Sequence, residues 1–244
     1  MIISRKRMDH ENVSIAVIPA RGGSKRIPLK NIRSFCGLPI IGHTIRLLQE
    51  SRLFEQIIVS TDNEQIADVA RSFGAQVPFM RPAALADDFT GTAPVMSHAT
   101  LNLIDAGLQV DSVCCVYATA VLLSANDLND GYSKLQSPDV EYVFSASRFP
   151  SVVHRGFQIR KDGGIEMLFP DFCSARTQDL PETFFDAGQF YWGKPEAFID
   201  QLPMFEHHSR IVPLPRWRSQ DIDTEEDWEF AEYLWRFRME EKIP

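Results

Sequence analysis

Short apolar runs alternate with amphipathic stretches along most of this chain, and the alternation predicts strands and helices in turn. Residues 14–20, SIAVIPA, form a continuous apolar run ending near a proline, the pattern of a central strand covered on both faces. After a polar loop, PIIGHTIRLLQES places Ile40, Ile41, Thr44, Ile45 and Leu48 on one helical face, and QIIVSTD supplies a second strand. The unit then recurs. NEQIADVARSFGA predicts a helix stopped at Gly74, QVPFM an extended segment, PVMSHATLNLIDAG a helix and DSVCCVYATA a strand. EYVFSAS continues the series, and FFDAGQFYW reads as a late strand. Such a sequence of elements implies an α/β fold with a mostly parallel, doubly wound, Rossmann-like sheet. TEEDWEFAEYLWRF predicts a last helix, capped by Thr224 and Asp227, whose Trp228, Ala231, Leu234 and Trp235 face is expected to pack on the sheet.

The alternation breaks down between residues 149 and 189. Within that stretch Asp162, Gly163 and Gly164 separate two short extended runs, a hairpin signal, so residues 149–189 are expected to form a small irregular or hairpin insertion carrying substrate or dimer contacts. Repeats, low-complexity tracts and Pro/Ser-rich linkers are absent from the sequence. The expected organisation is a tail over residues 1–12 and a single domain over 13–244.

Composition narrows the class. With 244 residues, 44% hydrophobic and 24% charged, the chain is long enough to bury a core without disulfides or structural zinc. Its four cysteines form no C-x-x-C pair, and two are adjacent inside an apolar run, the usage of a reduced cytoplasmic protein. A formal charge of -8 is the wrong sign for a general nucleic-acid binder. Residues 1–33 nevertheless carry eight basic side chains against two acidic ones, so charge is segregated. No apolar run approaches the roughly 20 residues of a membrane helix, and the first residues lack the apolar core of a signal peptide, so no membrane partner is expected.

The basic cluster centres on A-R-G-G-S-K-R-I-P-L-K-N, residues 20–31, directly after the first strand. In open α/β sheets the connection at that position supplies ligand contacts. Gly22 and Gly23 let the main chain approach an oxygen-rich ligand, and Arg21, Lys25, Arg26 and Lys30 offset the charge of a polyphosphate. A solvated basic turn is the plainer reading. The loop is neither a Walker A nor a G-x-G-x-x-G dinucleotide loop. Near the other end, Asp221 and Asp223 are spaced so that an extended segment turns both to one side, where they suit Mg²⁺, while Ile222 turns inward. Acids ahead of a helix also complement its dipole, which is the reading for Glu225, Glu226 and Asp227. Absence of a G-x-S-x-G elbow and of H-E-x-x-H favours chemistry run by positioning and charge stabilisation.

Beyond these physical readings, I-P-A-R-G-G-S-K-R-I-P-L-K-N, I-I-V-S-T-D, R-P-A-A-L-A-D-D and D-I-D-T-E-E-D resemble the CMP-acylneuraminate synthetase family over about residues 15–235. D-D-F-T-G-T, V-Y-A-T-A, R-T-Q-D-L and D-A-G-Q-F-Y-W look most like its pseudaminic acid branch. Where sialic acid enzymes carry Gln followed by P-T-S-P, this chain has Tyr117 followed by A-T-A-V. The resemblance implies a nucleotidyltransferase-type sheet and an Mg²⁺-dependent reaction of CTP with a nonulosonic acid, giving a CMP-sugar and pyrophosphate. It further implies that Arg21, Gly22, Gly23, Ser24, Lys25, Lys30 and Asn31 hold the triphosphate and adjoining nucleotide, that Arg81 and Thr92 address the cytidine end, and that Asp221 and Asp223 hold metal. Arg21, Lys30 and Asp223 would be catalytic. Arg155 and Arg176 are candidates for the sugar carboxylate, or plain surface arginines, and Tyr117 and Gln189 are candidate hydrogen-bond donors to the sugar. A homodimer is expected. N-acetylneuraminate or legionaminate as acceptor, and a non-catalytic nucleotide-sensing module, are the alternatives.

Overall fold

The computed structural model describes residues 13–241; the expected tail, 1–12, lies outside them, as do 242–244. In chain order, β1 (Ser14–Pro19) leads through the basic loop to a tight hairpin, β2 (Ser34–Phe35) and β3 (Leu38–Pro39), then to α1 (Ile40–Ser51), β4 (Gln56–Ser60) and α2 (Glu64–Ser72). α3 (Thr92–Asp105), β5 (Ser112–Val116) and α4 (Ala125–Leu135) follow. The rest comprises β6 (Tyr142–Arg148), a hairpin of β7 (Phe157–Ile159) and β8 (Ile165–Met167), the long β9 (Phe184–Gly193), α5 (Pro195–Ile199), β10 (Ser209–Leu214) and α6 (Glu225–Glu240).

The main sheet has the order β10-β6-β9-β5-β1-β4. β1 pairs in parallel with β4 and β5, and β6 with β10, while β9 runs antiparallel to both β5 and β6 and so joins the two parallel sets. β1 therefore has neighbours on both sides but stands one strand from the edge. Alternate β1 residues face opposite layers. Ala16 and Ile18 meet α1, α2 and α4 through Ile41, Ile45, Ile66 and Leu128, and Ile15 and Val17 meet α3 and α5 through Met96, Leu103 and Phe198.

Caps set the helix ends. Asn63 Oδ1 accepts from Ile66 N at 3.1 Å to start α2, and Gly74, at φ +90°, ends the turn after it. Ser124 with Asp127 and Thr224 with Asp227 form capping boxes at α4 and α6. QVPFM is extended as expected, bridged in parallel to Ile58 at Gln76 and to Thr61 at Met80. One expectation is corrected. α6 does not pack on the main sheet: Trp228, Ala231 and Leu234 form a separate small core with Ile27, Phe35, Ile40, Leu122 and Ile222, which ties the last helix to the basic loop and the β2–β3 hairpin.

Arg218, in the turn leading to Asp221, makes a two-pronged ion pair with Asp127, one contact at 3.1 Å, with side chains only 12% and 10% exposed. Removing one member leaves a buried charge uncompensated and also removes half of the α4 capping box. Asp127→Ala is expected to lower stability by about 3 kcal/mol in urea unfolding, and a loss below about 1 kcal/mol would show the pair to be solvated.

Candidate active site

Connections at the carboxyl ends of β1 and β5 enclose a cavity of about 360 Å³. The chain passes from β1 to β4 on one side and later to β5 on the other, so the cavity lies at the switch point where open α/β sheets bind ligands. Arg21, Ser24, Lys25, Arg26, Lys30 and Asn31 line one wall, and Asp221 and Asp223 line the same space. Two sequence clusters about 190 residues apart thus meet in one site, Lys30 Nζ lying 3.3 Å from Asp223 Oδ1.

The basic loop is held from several directions. Gly22 N donates to Asp62 Oδ1 and Asn31 Nδ2 donates to Arg21 O, each at 2.9 Å. A Cβ on Gly22 would stand 2.9 Å from the Asn63 side chain, whereas one on Gly23 would meet nothing within 4 Å. Close packing on the α2 cap, not approach to a ligand alone, therefore explains the first glycine. Neither glycine lines the cavity itself; both shape the turn that does. Leu29 adopts the left-handed conformation, φ +50°, just before Lys30, a mild strain of the kind found at functional loops.

Acidic partners already occupy the cations. Arg21 Nη1 donates to Asp88 Oδ1 at 2.8 Å and to Asp87 O at 2.7 Å, and Lys25 pairs with the other Asp88 oxygen. Lys25 and Arg21 together hold the Asp88 carboxyl below the usual carboxylate range. Sequence reasoning quoted Asp88 within D-D-F-T-G-T but gave it no role, because its partners lie more than 60 residues away.

Ile222 is fully buried, and Asp221 and Asp223 both reach the cavity, as the two-residue spacing predicts. Asp223 faces Lys30 and Arg26, with Arg26 Nη2 at 2.9 Å, while Lys30 also donates to Ile222 O. Among the described residues Asp221 has no basic partner at that range; burial and the Asp223 charge push its pKa up. A pair of carboxylates, one of them unfavourable as an isolated anion, fits a hard divalent cation that completes its shell with water and phosphate oxygens. Among the described residues no group of three or more His, Cys, Asp or Glu forms a denser metal cluster.

Arg81 is 5% exposed, lines the cavity, and donates through Nε to Ser60 Oγ at 3.1 Å, a buried cation held by a hydroxyl and a carbonyl. Burial lowers its pKa, partly offset by Asp62. Thr92, the first residue of α3, and Tyr117, just past β5, also line the cavity and share a short hydrogen bond. Three expected residues stand apart from the lining. Arg155 donates to Ala175 O within the insertion, Arg176 pairs with Asp179 at 2.7 Å, and Gln189, 2% exposed, donates to Gln220 O at 3.2 Å. Gln189 thereby braces the chain just ahead of Asp221.

Two outcomes follow from these charges. Asp88→Asn frees Arg21 and Lys25 and is expected to tighten inorganic tripolyphosphate about 2- to 5-fold, the range of exposed ion pairs, while Lys30→Ala weakens it about 10-fold; calorimetry reads both, and unchanged affinities would place the anion elsewhere. A raised folded-state pKa means that ionising Asp221 costs stability above its unfolded pKa of about 3.9. Asp221→Asn is expected to raise the Tm of the metal-free protein at pH 7, the gain vanishing near pH 3, where the carboxyl is protonated in both states.

A family model described as cytidylyltransferase matches residues 15–153, more than half of the chain. Among curated relatives, a pseudaminic acid cytidylyltransferase of Campylobacter jejuni is 37% identical over 227 residues, 93% of this chain and 98% of the relative. A CMP-N,N'-diacetyllegionaminic acid synthase of Legionella pneumophila is 32% identical over 93% of this chain and 97% of its own. An N-acylneuraminate cytidylyltransferase of Danio rerio is 32% identical over 94% of this chain and 52% of its own. In structure, a CMP:2-keto-3-deoxy-manno-octonic acid synthetase solved with CTP superposes with a TM-score of 0.68 at 14% identity, covering 95% of this chain and 100% of that one, which shows a shared fold. Family model, relatives and architecture agree, and the chain belongs to the cytidylyltransferase family of nucleotidyltransferases.

Proposed function

We propose that the protein transfers the cytidylyl group of CTP to a nonulosonic acid, a nine-carbon 2-keto acid sugar, with pseudaminic acid as the acceptor. The observation that carries this reading is the convergence of the basic loop and the Asp221–Asp223 pair on one cavity of about 360 Å³, with Lys30 and Arg26 beside Asp223 at 3.3 and 2.9 Å. Supporting the sugar are 37% identity to the pseudaminic acid relative against 32% to the legionaminic one, and the Y-A-T-A sequence at 117–120.

In this reading Arg21, Ser24, Lys25 and Lys30 bind the triphosphate, Arg21 and Lys25 exchanging Asp88 for phosphate oxygens. Asn31 keeps the loop in shape, and Arg81 and Thr92 address the cytidine end. Asp221 and Asp223 hold Mg²⁺, which when bound screens the phosphate charge and stabilises the leaving pyrophosphate. The anomeric hydroxyl oxygen of the sugar attacks the α-phosphorus in line. Its bond to phosphorus forms as its proton passes to solvent, the bond from the α-phosphorus to the α–β bridging oxygen breaks, and Arg21 and Lys30 offset the charge that moves onto pyrophosphate. No covalent enzyme intermediate is needed. Arg155 and Arg176 take the sugar carboxylate only if the insertion rearranges, since both guanidinium groups already hold partners there. The β7–β8 hairpin exposes Phe157, Ile159 and Ile165 at 54, 77 and 64%, and we assign this face to a homodimer.

Pyrophosphate release with CTP and Mg²⁺ is expected for pseudaminic acid, more slowly for legionaminic and N-acetylneuraminic acids; preference for either of the latter overturns the acceptor, and no turnover with any of them overturns the reaction. Combining Asp221→Asn with Asp223→Asn is expected to lower kcat at least about 100-fold while the Kd for CTP changes less than about 5-fold. A nucleotide-sensing module would tolerate that loss. Light scattering of Ile159→Asp is expected to give a monomer, and a dimer surviving it removes the hairpin as the contact.

A further inference from the structure

Of the four cations in the basic loop, the proposed transfer uses Arg21, Lys25 and Lys30 and leaves Arg26 unassigned. Arg26 lines the cavity, yet its ion pair is with a candidate metal ligand: Nη2 lies 2.9 Å from Asp223 Oδ2. The other oxygen of that carboxylate, Oδ1, has Lys30 Nζ at 3.3 Å. Both Asp223 oxygens therefore face cations. Asp221 lines the same cavity, its Oδ1 accepting from Ile222 N at 2.8 Å, and it makes no ion pair among the described residues.

A divalent ion seated on both carboxylates has to take an Asp223 oxygen from one of these two cations, since like charges at such range repel. The two are held differently. Lys30 is 20% exposed and donates to Ile222 O as well, which fixes its ammonium to the backbone between the two aspartates. Arg26 is 66% exposed, and an ion pair that exposed is weak. Its backbone, by contrast, is anchored. Ile27 and Ile222, the residues next to Arg26 and Asp223, are 1% and 0% exposed in one small core. The guanidinium is thus the part free to move, while the main chain on either side of the contact stays in place.

We propose that Arg26 is the resident counter-ion of Asp223, standing in for a divalent cation, and that its guanidinium passes from Asp223 to the triphosphate when nucleotide binds. The Asp221–Asp223 pair then loses a competing positive charge at the moment phosphate oxygens arrive to complete a metal's shell. Nucleotide and metal bind with positive coupling, because each weakens a contact that opposes the other, and the coupling is the same seen from either ligand. In the absence of nucleotide the guanidinium keeps the affinity for metal low. The inference rests on the CTP- and metal-dependent reading given above, and it gives Arg26 a task distinct from that of its three basic neighbours.

The test uses two binding measurements on the full chain: Mn²⁺ alone, by water-proton relaxation, and CTP in EDTA, by calorimetry. Arg26→Gln is expected to tighten Mn²⁺ about 5-fold, because a competitor for Asp223 and a neighbouring positive charge leave together, and to weaken metal-free CTP about 5-fold. Opposite signs are the signature. Arg26→Lys retains the charge and is expected to stay within about 2-fold of the wild type in both measurements. In an Asp223→Asn background the contested carboxylate is gone, and Arg26→Gln is expected to bring no gain in Mn²⁺ affinity. Weaker binding of both ligands by Arg26→Gln marks a purely structural role and overturns the proposal. So does an Mn²⁺ affinity that fails to rise, whether or not the wild type binds the ion measurably, and so does an unchanged CTP affinity. An equal Mn²⁺ gain with and without the Asp223 carboxylate reduces the effect to distant charge and overturns it too. Wild-type turnover keeps the two levels apart: an active enzyme without the opposed shifts refutes only the counter-ion role, whereas the opposed shifts in a protein inactive with CTP and every acid refute the transfer and leave the counter-ion role standing.

Discussion

Four cations in one short loop repel each other and must be compensated whether or not a ligand is present. The structure meets this constraint with acids from distant parts of the chain: Asp88 answers Arg21 and Lys25, and Asp223 answers Lys30 and Arg26. Much of the architecture around the site serves to bring those acids in. α6 and the β2–β3 hairpin share a core with Ile27 and Ile222, which clamps the loop and the late aspartates from below. The Arg218–Asp127 pair and Gln189 hold the chain that leads into Asp221. In the proposed function, a ligand bearing several negative charges would replace internal acids in a cavity already organised for charge, so little of the polar framework would have to reorganise on binding.

β9 gives the sheet its second structural rule. As the antiparallel strand between two parallel sets, it pairs β5 on one side and β6 on the other. Its register against β6 shifts between Phe144 and Ala146, where Gly188 takes φ +59°. Gln189, beside that shift, donates to Gln220 O just ahead of Asp221, and the ring of Tyr191 meets Tyr117 edge to face.

Periodic segments were legible in the sequence because their physics is local. α1, α2 and α6 follow from apolar spacing and from caps within a turn of each helix, and β1, β4 and β5 from short apolar runs. α4 and β10 were not read, although Ser124 and Asp127 carried a capping signal, because few large apolar residues mark the α4 face. Packing of α6 away from the main sheet was illegible, since an apolar face does not name its partner. In the site, charge and spacing marked the basic loop and the Asp221–Asp223 pair. Asp88 and Asp62 stand inside the quoted motifs, but their roles escaped because those roles lie in partners that only the fold supplies. Arg155 and Arg176, drawn from resemblance, found their partners within the insertion instead.

The contact between Gly22 and Asn63 couples two positions that sequence reading treats as unrelated, a loop glycine and a helix cap. Among homologous chains the pair is expected to vary jointly: because the clash reaches the Cβ of residue 63 itself, alanine at 22 calls for glycine, itself a tolerated cap, at 63, and glycine at 22 is expected wherever 63 carries a side chain. The basic loop and the second helix therefore inherit change as one unit, and transplanting the loop into another scaffold succeeds only when that helix cap travels with it.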